Sequence, residues 1–352
     1  GKIDDTSDHI GLAAFGTVAD LVPLTGMNRS IVWLGLQTLN TTERCGIRAL
    51  TRVAGIGDKQ INTYEIGYLL GPRINASGRL SHALDALRLL CTKSPKRAQR
   101  LAEKLDQENN ERQKILQAAY DHAKERVQEQ DYVLFAVDES YHEGVIGLVA
   151  GKLVDTFYRP AVVISKGKKY SKASARSVRG VNIVELLRSC SDILVSVGGH
   201  PMAAGFTVET DNINLLRERL LKEVKERIDT KVFTKTLSID KELPIQHISK
   251  DLYEAVQLLA PFGVGNPKPV FMSRKSRIRN IKNVGSEQQH VKLTLQEGNR
   301  VIEAIAFWKA EKFSSLSTSD VVDVGYHLSL NQWNGQESIE LVVRDIRLSK
   351  AG

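Results

Sequence analysis

The sequence predicts an α/β multidomain chain, helical first, mixed α/β in the middle and all-β at its end. Three observations predict it. A stretch dense in helix formers follows a helical, loop-rich first ninety residues. Short apolar runs then alternate with amphipathic stretches, and closely spaced β-rich segments fill the rest. A Gly/Pro-dense run, Pro261-Phe-Gly-Val-Gly-Asn-Pro-Lys-Pro269, separates the last two regimes. At 352 residues the chain is too long for one ordinary core, so two or three domains are expected.

Composition narrows the class. With 42% hydrophobic and 26% charged residues the chain reads as a soluble globular protein. Its 49 basic against 41 acidic residues leave a net charge of +8, which favours polyanionic partners, nucleic acid first and anionic membrane second. Cys45, Cys91 and Cys190 lie far apart and form no CxxC pair, which speaks for a reducing compartment and against a zinc ribbon or disulfide frame. No apolar run approaches the roughly 18 residues of a membrane span. The N-terminus has no charged-then-apolar leader pattern, so a cytoplasmic protein is expected. The chain opens on Gly1 and reads as cut from something longer.

The elements follow in order. Ser94-Pro95 supplies an N-cap and a proline at the first helical position. From there to Val127, Ala98, Leu101, Leu105, Ile115, Leu116 and Ala119 fall near helical spacing, interrupted by the polar stretch Gln107–Gln113. A single helix of that length would be about 50 Å long. The polar stretch suggests solvent on all sides, hence a connector between two lobes; two helices with a turn are the alternative. Strands are expected at Tyr132–Val137, Ala161–Ser165 and Ile193–Val197, with a helix over Glu143–Phe157 and two more near Asn212–Arg227 and Lys250–Leu259. That alternation implies a small sheet with parallel character.

Beyond the Gly/Pro run come β-rich segments at Val270–Asn280, His290–Gln296, Val301–Trp308, Val321–Leu330 and Ser338–Leu348, with turns at Glu297-Gly298-Asn299 and Asn334-Gly335. Five short strands ending a basic protein suggest an oligonucleotide-binding (OB) barrel, and other small barrels fit the same pattern. Trp308 and Trp333 are candidates either for base stacking or for core packing.

Five motifs carry candidate chemistry. Gly16-Thr-Val-Ala-Asp20 ends a small apolar run on a carboxylate, which either ligates a hard divalent cation or caps a helix or forms a salt bridge. Gly71-Pro-Arg-Ile-Asn-Ala-Ser-Gly-Arg79 brackets Arg73, Asn75 and Arg79 with glycines. Backbone amides and guanidinium forks could converge on a phosphate there, or the segment is a capped loop with surface arginines. Lys166–Arg179 holds six basic residues in fourteen, readable as a solvated lysine loop plus a strand. Within it Ser174 and Arg176 share one face of an extended segment. Gly198-Gly-His-Pro-Met-Ala-Ala-Gly205 follows an apolar strand; Gly198 and Gly199 permit close approach, and a helix beginning after them would aim amides at an anion. His200 is then a candidate phosphate donor or acid, and His142 holds a similar place after the first strand.

Taken in chain order, GTVAD (16–20), GPRINASGR (71–79), HEGVIGLVAGKL (142–153), SARS (174–177) and GGHPMAAG (198–205) resemble the RecJ exonucleases of the DHH phosphodiesterase superfamily, and PFGVGNPKPVF (261–271) resembles that family's join to its OB domain. The resemblance implies the helical tail of a DHH catalytic domain at 1–93, a connector helix at 94–128, an α/β DHHA1 domain at 129–260 and an OB-fold domain at 261–352. It implies a 5′-to-3′ single-stranded DNA exonuclease of recombination and repair, using two Mn²⁺ or Mg²⁺ ions about 3.5–4 Å apart to activate water and neutralise the leaving oxygen. Asp20 would be a metal ligand; Arg73, Asn75 and Arg79 would line the cleft. Ser174 and Arg176 would hold the 5′-phosphate, and Gly199 and His200 the phosphate near the metals.

The family's upstream Asp-x-Asp, further aspartate and Asp-His-His motifs do not precede Asp20; Asp8-His9 carries a single histidine. The chain therefore reads as the C-terminal part, inactive alone and still able to bind single strands. Single-stranded DNA, a single-strand-binding protein and a helicase are the implied partners, with no membrane and a monomeric state. Two other readings stay open: a non-catalytic single-strand-binding subunit, and a DHH/DHHA1 phosphodiesterase for short oligoribonucleotides, against which the C-terminal barrel argues.

Overall fold

The computed structural model describes residues 4–57, 59–80, 83–333 and 335–349. Asn334 of the expected turn and the side chains of Asp8 and Trp333 lie outside what is described. The chain starts with α1 (Asp4–Ala19) and α2 (Gly26–Thr41), then α3 (Cys45–Val53), α4 (Gly71–Leu80), α5 (Leu84–Cys91) and the 32-residue α6 (Pro95–Arg126). Next come β1 (Leu134–Asp138), α7 (Ile146–Phe157), β2 (Ala161–Ser165), β3 (Tyr170–Arg176), α8 (Ile183–Arg188), β4 (Leu194–His200), β5 (Ala203–Glu209) and α9 (Ile213–Arg227). The last part holds β6 (Lys241–Glu242), α10 (Lys250–Gln257), β7 (Phe271–Val284), β8 (His290–Glu297), β9 (Arg300–Ala306), β10 (Val321–Trp333) and β11 (Gln336–Leu348).

Residues 41–235 form one compact unit, and residues 1–40 with 236–352 form the other. These units cut across the domains expected at 1–93 and 129–260. The physical reason lies in two anchors. Arg29 on α2 donates to the Leu258, Leu259 and Ala260 carbonyls at 3.4, 3.0 and 3.2 Å, tying α2 to the segment after α10. Short β6 pairs in parallel with β7, so the barrel unit begins before Pro261 rather than at it.

In the 41–235 unit, α6 is one helix. Ser94 caps it by accepting from the Arg97 amide at 3.4 Å, with Pro95 in the first turn. The expectation of solvent all round at Gln107–Gln113 is wrong. Ala98, Leu101, Ala102, Leu105, Asn109, Ala119 and Ala123 form a buried stripe, because α3, α4 and α5 pack along the helix and α7 packs further on. Asn109 occupies a stripe position and is 1% exposed.

The sheet beside it runs β1-β2-β3-β5-β4. Only β1–β2 is parallel, while β2–β3, β3–β5 and β5–β4 are antiparallel, so the expected parallel character is confined to one pair. Nor does a helix follow Gly198-Gly199-His200. All three residues end β4, Pro201 and Met202 turn, and β5 returns as a hairpin. Gly199 has φ +145°, and a Cβ there would sit 2.3 Å from the Ala203 carbonyl oxygen. The glycine thus makes the hairpin possible.

The Gly71–Arg79 motif is helical, not a loop. Asn62 Oδ1 accepts from the Tyr64 amide at 2.7 Å while Glu65 accepts from the Asn62 amide at 3.0 Å, a reciprocal cap. A π-helical stretch, Glu65–Leu70, then runs straight into α4. Pro72 brings no N–H and crowds the turn before it. The widened π turn accommodates that, and Arg73 Nη1 donates to the Leu69 carbonyl at 2.6 Å.

The other unit contains a closed barrel. Strand order β7-β8-β9-β11-β10 returns to β7 through a β10–β7 pairing, with β9–β11 parallel and the remaining barrel pairs antiparallel. This is the OB topology. Alternation explains it: Val291, Leu293 and Leu295 of β8 point inward with Val322, Val324, Tyr326 and Leu328 of β10.

Tyr326 is fully buried, its hydroxyl within 2.9 Å of Ser273 Oγ and 3.2 Å of the Leu243 carbonyl. Burial pushes its phenol pKa up to about 12. Because the folded pKa is raised, its contribution is complete below pH 10 and is lost as pH rises toward about 12. Each unit of that gap carries about 1.4 kcal/mol. Denaturant titrations from pH 9 to 12 should therefore show a steep loss of barrel stability that Tyr326→Phe flattens. An unchanged slope in that variant would assign the alkaline loss to other groups.

Candidate anion-binding site

β3 is central in its sheet, and its period-2 pattern puts Lys172, Ser174 and Arg176 on one face while Ser171, Ala173 and Ala175 are buried on the other. Arg176 Nη1 donates to Ser174 Oγ at 3.1 Å and to the Ala175 carbonyl at 2.9 Å, so hydroxyl and guanidinium form one unit. The first turn of α7 faces them. A Cβ added at Gly147 would lie 3.0 Å from both Arg176 Nη2 and Ser174 Oγ. Amides in the first turn of a helix have no intrahelical acceptor and carry partial positive charge.

Arg79 enters from α4 and donates to the Gly144 carbonyl at 3.4 Å. Arg79, Gly144, Ile146, Gly147, Ser174 and Arg176 are among the residues lining a cleft of about 420 Å³. Gly205, which pairs with Ser174 across β3–β5, and Ser196 of β4 line it too.

The electrostatics are one-sided. Burial, and then the charge of Arg79, hold the Arg176 guanidinium below its usual pKa. The same two causes in the same order lower Arg112. Arg112 is on α6 and donates through Nε and Nη2 to Asn109 Oδ1 at 3.3 and 2.9 Å. Glu143 lines the cleft but pairs with Lys172 at 2.7 Å. Among the described residues, none of Arg79, Arg112 and Arg176 is ion-paired. Three guanidinium groups are thus held near one another without a carboxylate, an arrangement that an anion relieves.

The other sequence candidates fall as follows. Arg73 pairs with α6, its Nε 2.8 Å from Asp106 Oδ1. Asn75 is exposed and, four residues before Arg79, shares its helix face. His142 is exposed beside a second hollow of about 690 Å³ that also includes Arg79 and Gly144. Its Nδ1 accepts from the Gly144 amide at 3.0 Å, leaving Nε2 to carry the proton. Gly198, Gly199 and His200 are exposed at the end of edge strand β4, outside the cleft lining.

Asp20 belongs to the other unit. It is exposed just past α1, whose last turn has no basic residue, and its amide donates to Gly16 at 3.0 Å. That is the end of a helix where a carboxylate is disfavoured, so it is no N-cap. Among the described residues it makes no ion pair, and no three His, Cys, Asp or Glu converge to hold a metal ion. Asp20 by itself does not build a metal centre.

Arg112 was missed at the sequence level. The signal was Asn109, a polar residue at a buried position of the α6 stripe that demanded a partner one turn away.

The fold and cleft define a class of protein: a DHHA1 domain combined with an OB-barrel domain. Residues 129–228 match the DHHA1 domain family, and residues 239–345 match the RecJ OB domain family. The chain is 36% identical over 355 aligned residues to the single-stranded-DNA-specific exonuclease RecJ of Bacillus subtilis, covering 99% of this chain and 45% of that relative. Crystal structures of RecJ from Thermus thermophilus with Mg²⁺ and with Mn²⁺ superpose with TM-scores of 0.86 at 29% identity, covering 98% of this chain and 53% and 50% of theirs. The chain is thus similar to RecJ over nearly all of its own length. It spans about half the length of these relatives.

If the cleft is an anion site, inorganic phosphate should raise the melting temperature of the 41–235 unit. At a hundredfold excess over Kd the gain is about 2.7 kcal/mol. Arg79→Ala and Arg176→Ala should each abolish the shift. A shift that survives in both variants would place the phosphate elsewhere.

Proposed function

We propose that this chain is the substrate-gripping part of a 5′-to-3′ single-stranded DNA exonuclease of recombination and repair. The observation that carries the reading is the cleft where Arg79, Arg176, Ser174 and the first turn of α7 meet without a carboxylate free to neutralise them. A terminal phosphate monoester is more negative than an internal diester, and a guanidinium meets two of its oxygens at once. The OB barrel supports the reading as a second, sequence-tolerant contact to an unpaired strand.

In this proposal Ser174 and Arg176 receive the 5′-phosphate, with Arg79 and Asn75 beside them. His142, Gly198, Gly199 and His200 contact the following backbone, with His200 as the candidate acid. Mg²⁺ or Mn²⁺ is the cofactor, and Asp20 is the ligand that these residues contribute to it. A single-strand-binding protein and a helicase are proposed partners of a cytoplasmic monomer; no helix among the described residues is long and apolar enough to cross a membrane.

The 352-residue chain should bind single strands more tightly than blunt duplex, with affinity falling steeply as salt rises. It should not degrade them with Mn²⁺. Degradation that Asp20→Ala abolishes would show that these residues suffice for catalysis.

The sharper test compares wild type and Arg176→Ala on 5′-phosphorylated and 5′-hydroxyl strands of one sequence. A hydrogen bond to a charged group is worth about 1.5–3 kcal/mol, so binding of the phosphorylated strand should fall roughly ten- to a hundredfold. The hydroxyl strand should lose little, and Ser174→Ala should act in the same direction but less. Equal loss on both strands would leave Arg176 as diffuse electrostatics and remove the end-group pocket.

A further inference from the structure

The barrel carries an aromatic cluster that its core does not use. Trp308 is 73% exposed and Phe307 49% exposed, directly after β9. Trp308 also has φ +57°, the left-handed region, where a bulky side chain is an outlier. Neither core packing nor a glycine-like turn requirement explains a tryptophan there.

The surroundings hold it in place. The Trp308 amide donates to His290 Nδ1 at 3.0 Å. The His290 ring meets the indole edge-to-face at 4.8 Å and 85°, and Phe307 at 5.3 Å and 77°. The next strand contacts repeat the stitch: Ala306 pairs with Val291, and the Ala310 amide donates to the Gln289 carbonyl at 3.3 Å. An edge-to-face contact braces the indole without covering it.

The charge beside the cluster fits one kind of occupant. His290 and Lys292 share the outward face of β8, since Val291 and Leu293 between and beyond them are buried. Lys282 of β7 lies directly opposite Lys292 in register. Lys292 pairs with Glu303 at 3.4 Å and has Glu340 within electrostatic reach, so its charge is already answered. Lys282 is exposed and has no ion pair among the described residues. Braced aromatic faces near an exposed lysine without an ion pair among the described residues match a base and a flanking phosphate.

We propose that Trp308, braced by His290 and flanked by Phe307, is a stacking platform for an unpaired nucleobase, with Lys282 holding an adjacent phosphate. The inference rests on the single-strand reading above and adds a base contact to it, in the barrel rather than in the anion cleft.

The test uses the 352-residue chain and two 3′-labelled strands of equal length, oligothymidylate and the same backbone with abasic sites. Trp308→Ala should weaken oligothymidylate binding about five- to a hundredfold, the worth of a stacked base, and leave the abasic strand within about twofold. Trp308→Phe should restore most of the loss. Lys282→Ala should weaken both strands alike and reduce the salt slope by about one.

Because Trp308 is exposed, its variants should melt with the wild type, which separates lost stacking from lost fold. Unchanged oligothymidylate affinity in Trp308→Ala, or an equal loss on the abasic strand, would overturn the platform; a protein partner covering the patch would give the first of these. The 5′-phosphate preference set by Arg176 is read on the same strands. Its survival alongside a failed platform would sink only this inference, whereas a chain that binds no single strand would sink both.

Discussion

The anion cleft depends on how closely the first turn of α7 approaches β3. Gly147 sets that distance: its missing side chain is the space into which Arg176 Nη2 and Ser174 Oγ project, each 3.0 Å from where a Cβ would stand. Gly144 performs the same service on the other side, where a Cβ would lie 2.3 Å from the Arg79 carbonyl. One glycine lets a helix N-terminus meet a guanidinium, and the other lets α4 pack against the loop before α7. β3 can bear the charge because it is flanked on both sides, by β2 and β5, and its opposite face is buried. A rigid strand holds Ser174 and Arg176 in a fixed relation that a loop could not maintain.

Charge compensation decides which arginines are free to act. Arg73 and Arg79 sit in one motif six residues apart, which on a helix of about 100° per residue turns them to different faces. Arg73 meets Asp106 and is neutralised, joining α4 to α6. Arg79 meets no acid among the described residues and instead raises the cost of charge on Arg112 and Arg176. Holding these cations together is unfavourable without a counter-charge, and an anion bound there would relieve it. Arg112 is kept in the cluster by buried Asn109, so a neutral amide does the positioning without cancelling the charge.

Much of this was legible in the sequence, and the exceptions share a cause. The five barrel strands, the Ser94 cap and the common face of Ser174 and Arg176 follow from period and capping chemistry, which are local. Gly71–Arg79 looked like a loop because glycine and proline depress helix propensity, yet the capped helix ahead of it and packing on α6 outweigh that preference. Gln107–Gln113 looked solvated because polarity was counted over a window, whereas burial depends on which residue lies on the stripe. Gly198-Gly199-His200 suggested a helix start, while the register of β4 with β5 made it a hairpin. The Pro261–Pro269 run suggested a boundary, but the Arg29 anchor and the β6–β7 pair connect residues more than two hundred and about thirty positions apart. Such contacts have no signature in a short window.

Two recognition chemistries on one chain have a consequence that neither has alone. On the proposed reading, the cleft would answer to charge at the end of a strand without reading a base, and the barrel's outward face would answer to bases and flanking phosphates without preferring an end. When a strand engages both, the second contact forms at an effective concentration set by the intervening nucleotides rather than by bulk solution. Each contact could then be weak enough to release, as the proposed stepwise exonuclease would require. Strong affinity concentrated at Arg176 would favour holding the end phosphate instead of passing on to the next one. Burial and the charge of Arg79 both disfavour the Arg176 cation when the cleft holds no anion, so the proposed end phosphate would have to offset both. On the same reading, retention of the strand would fall instead to contacts that do not distinguish one nucleotide from the next.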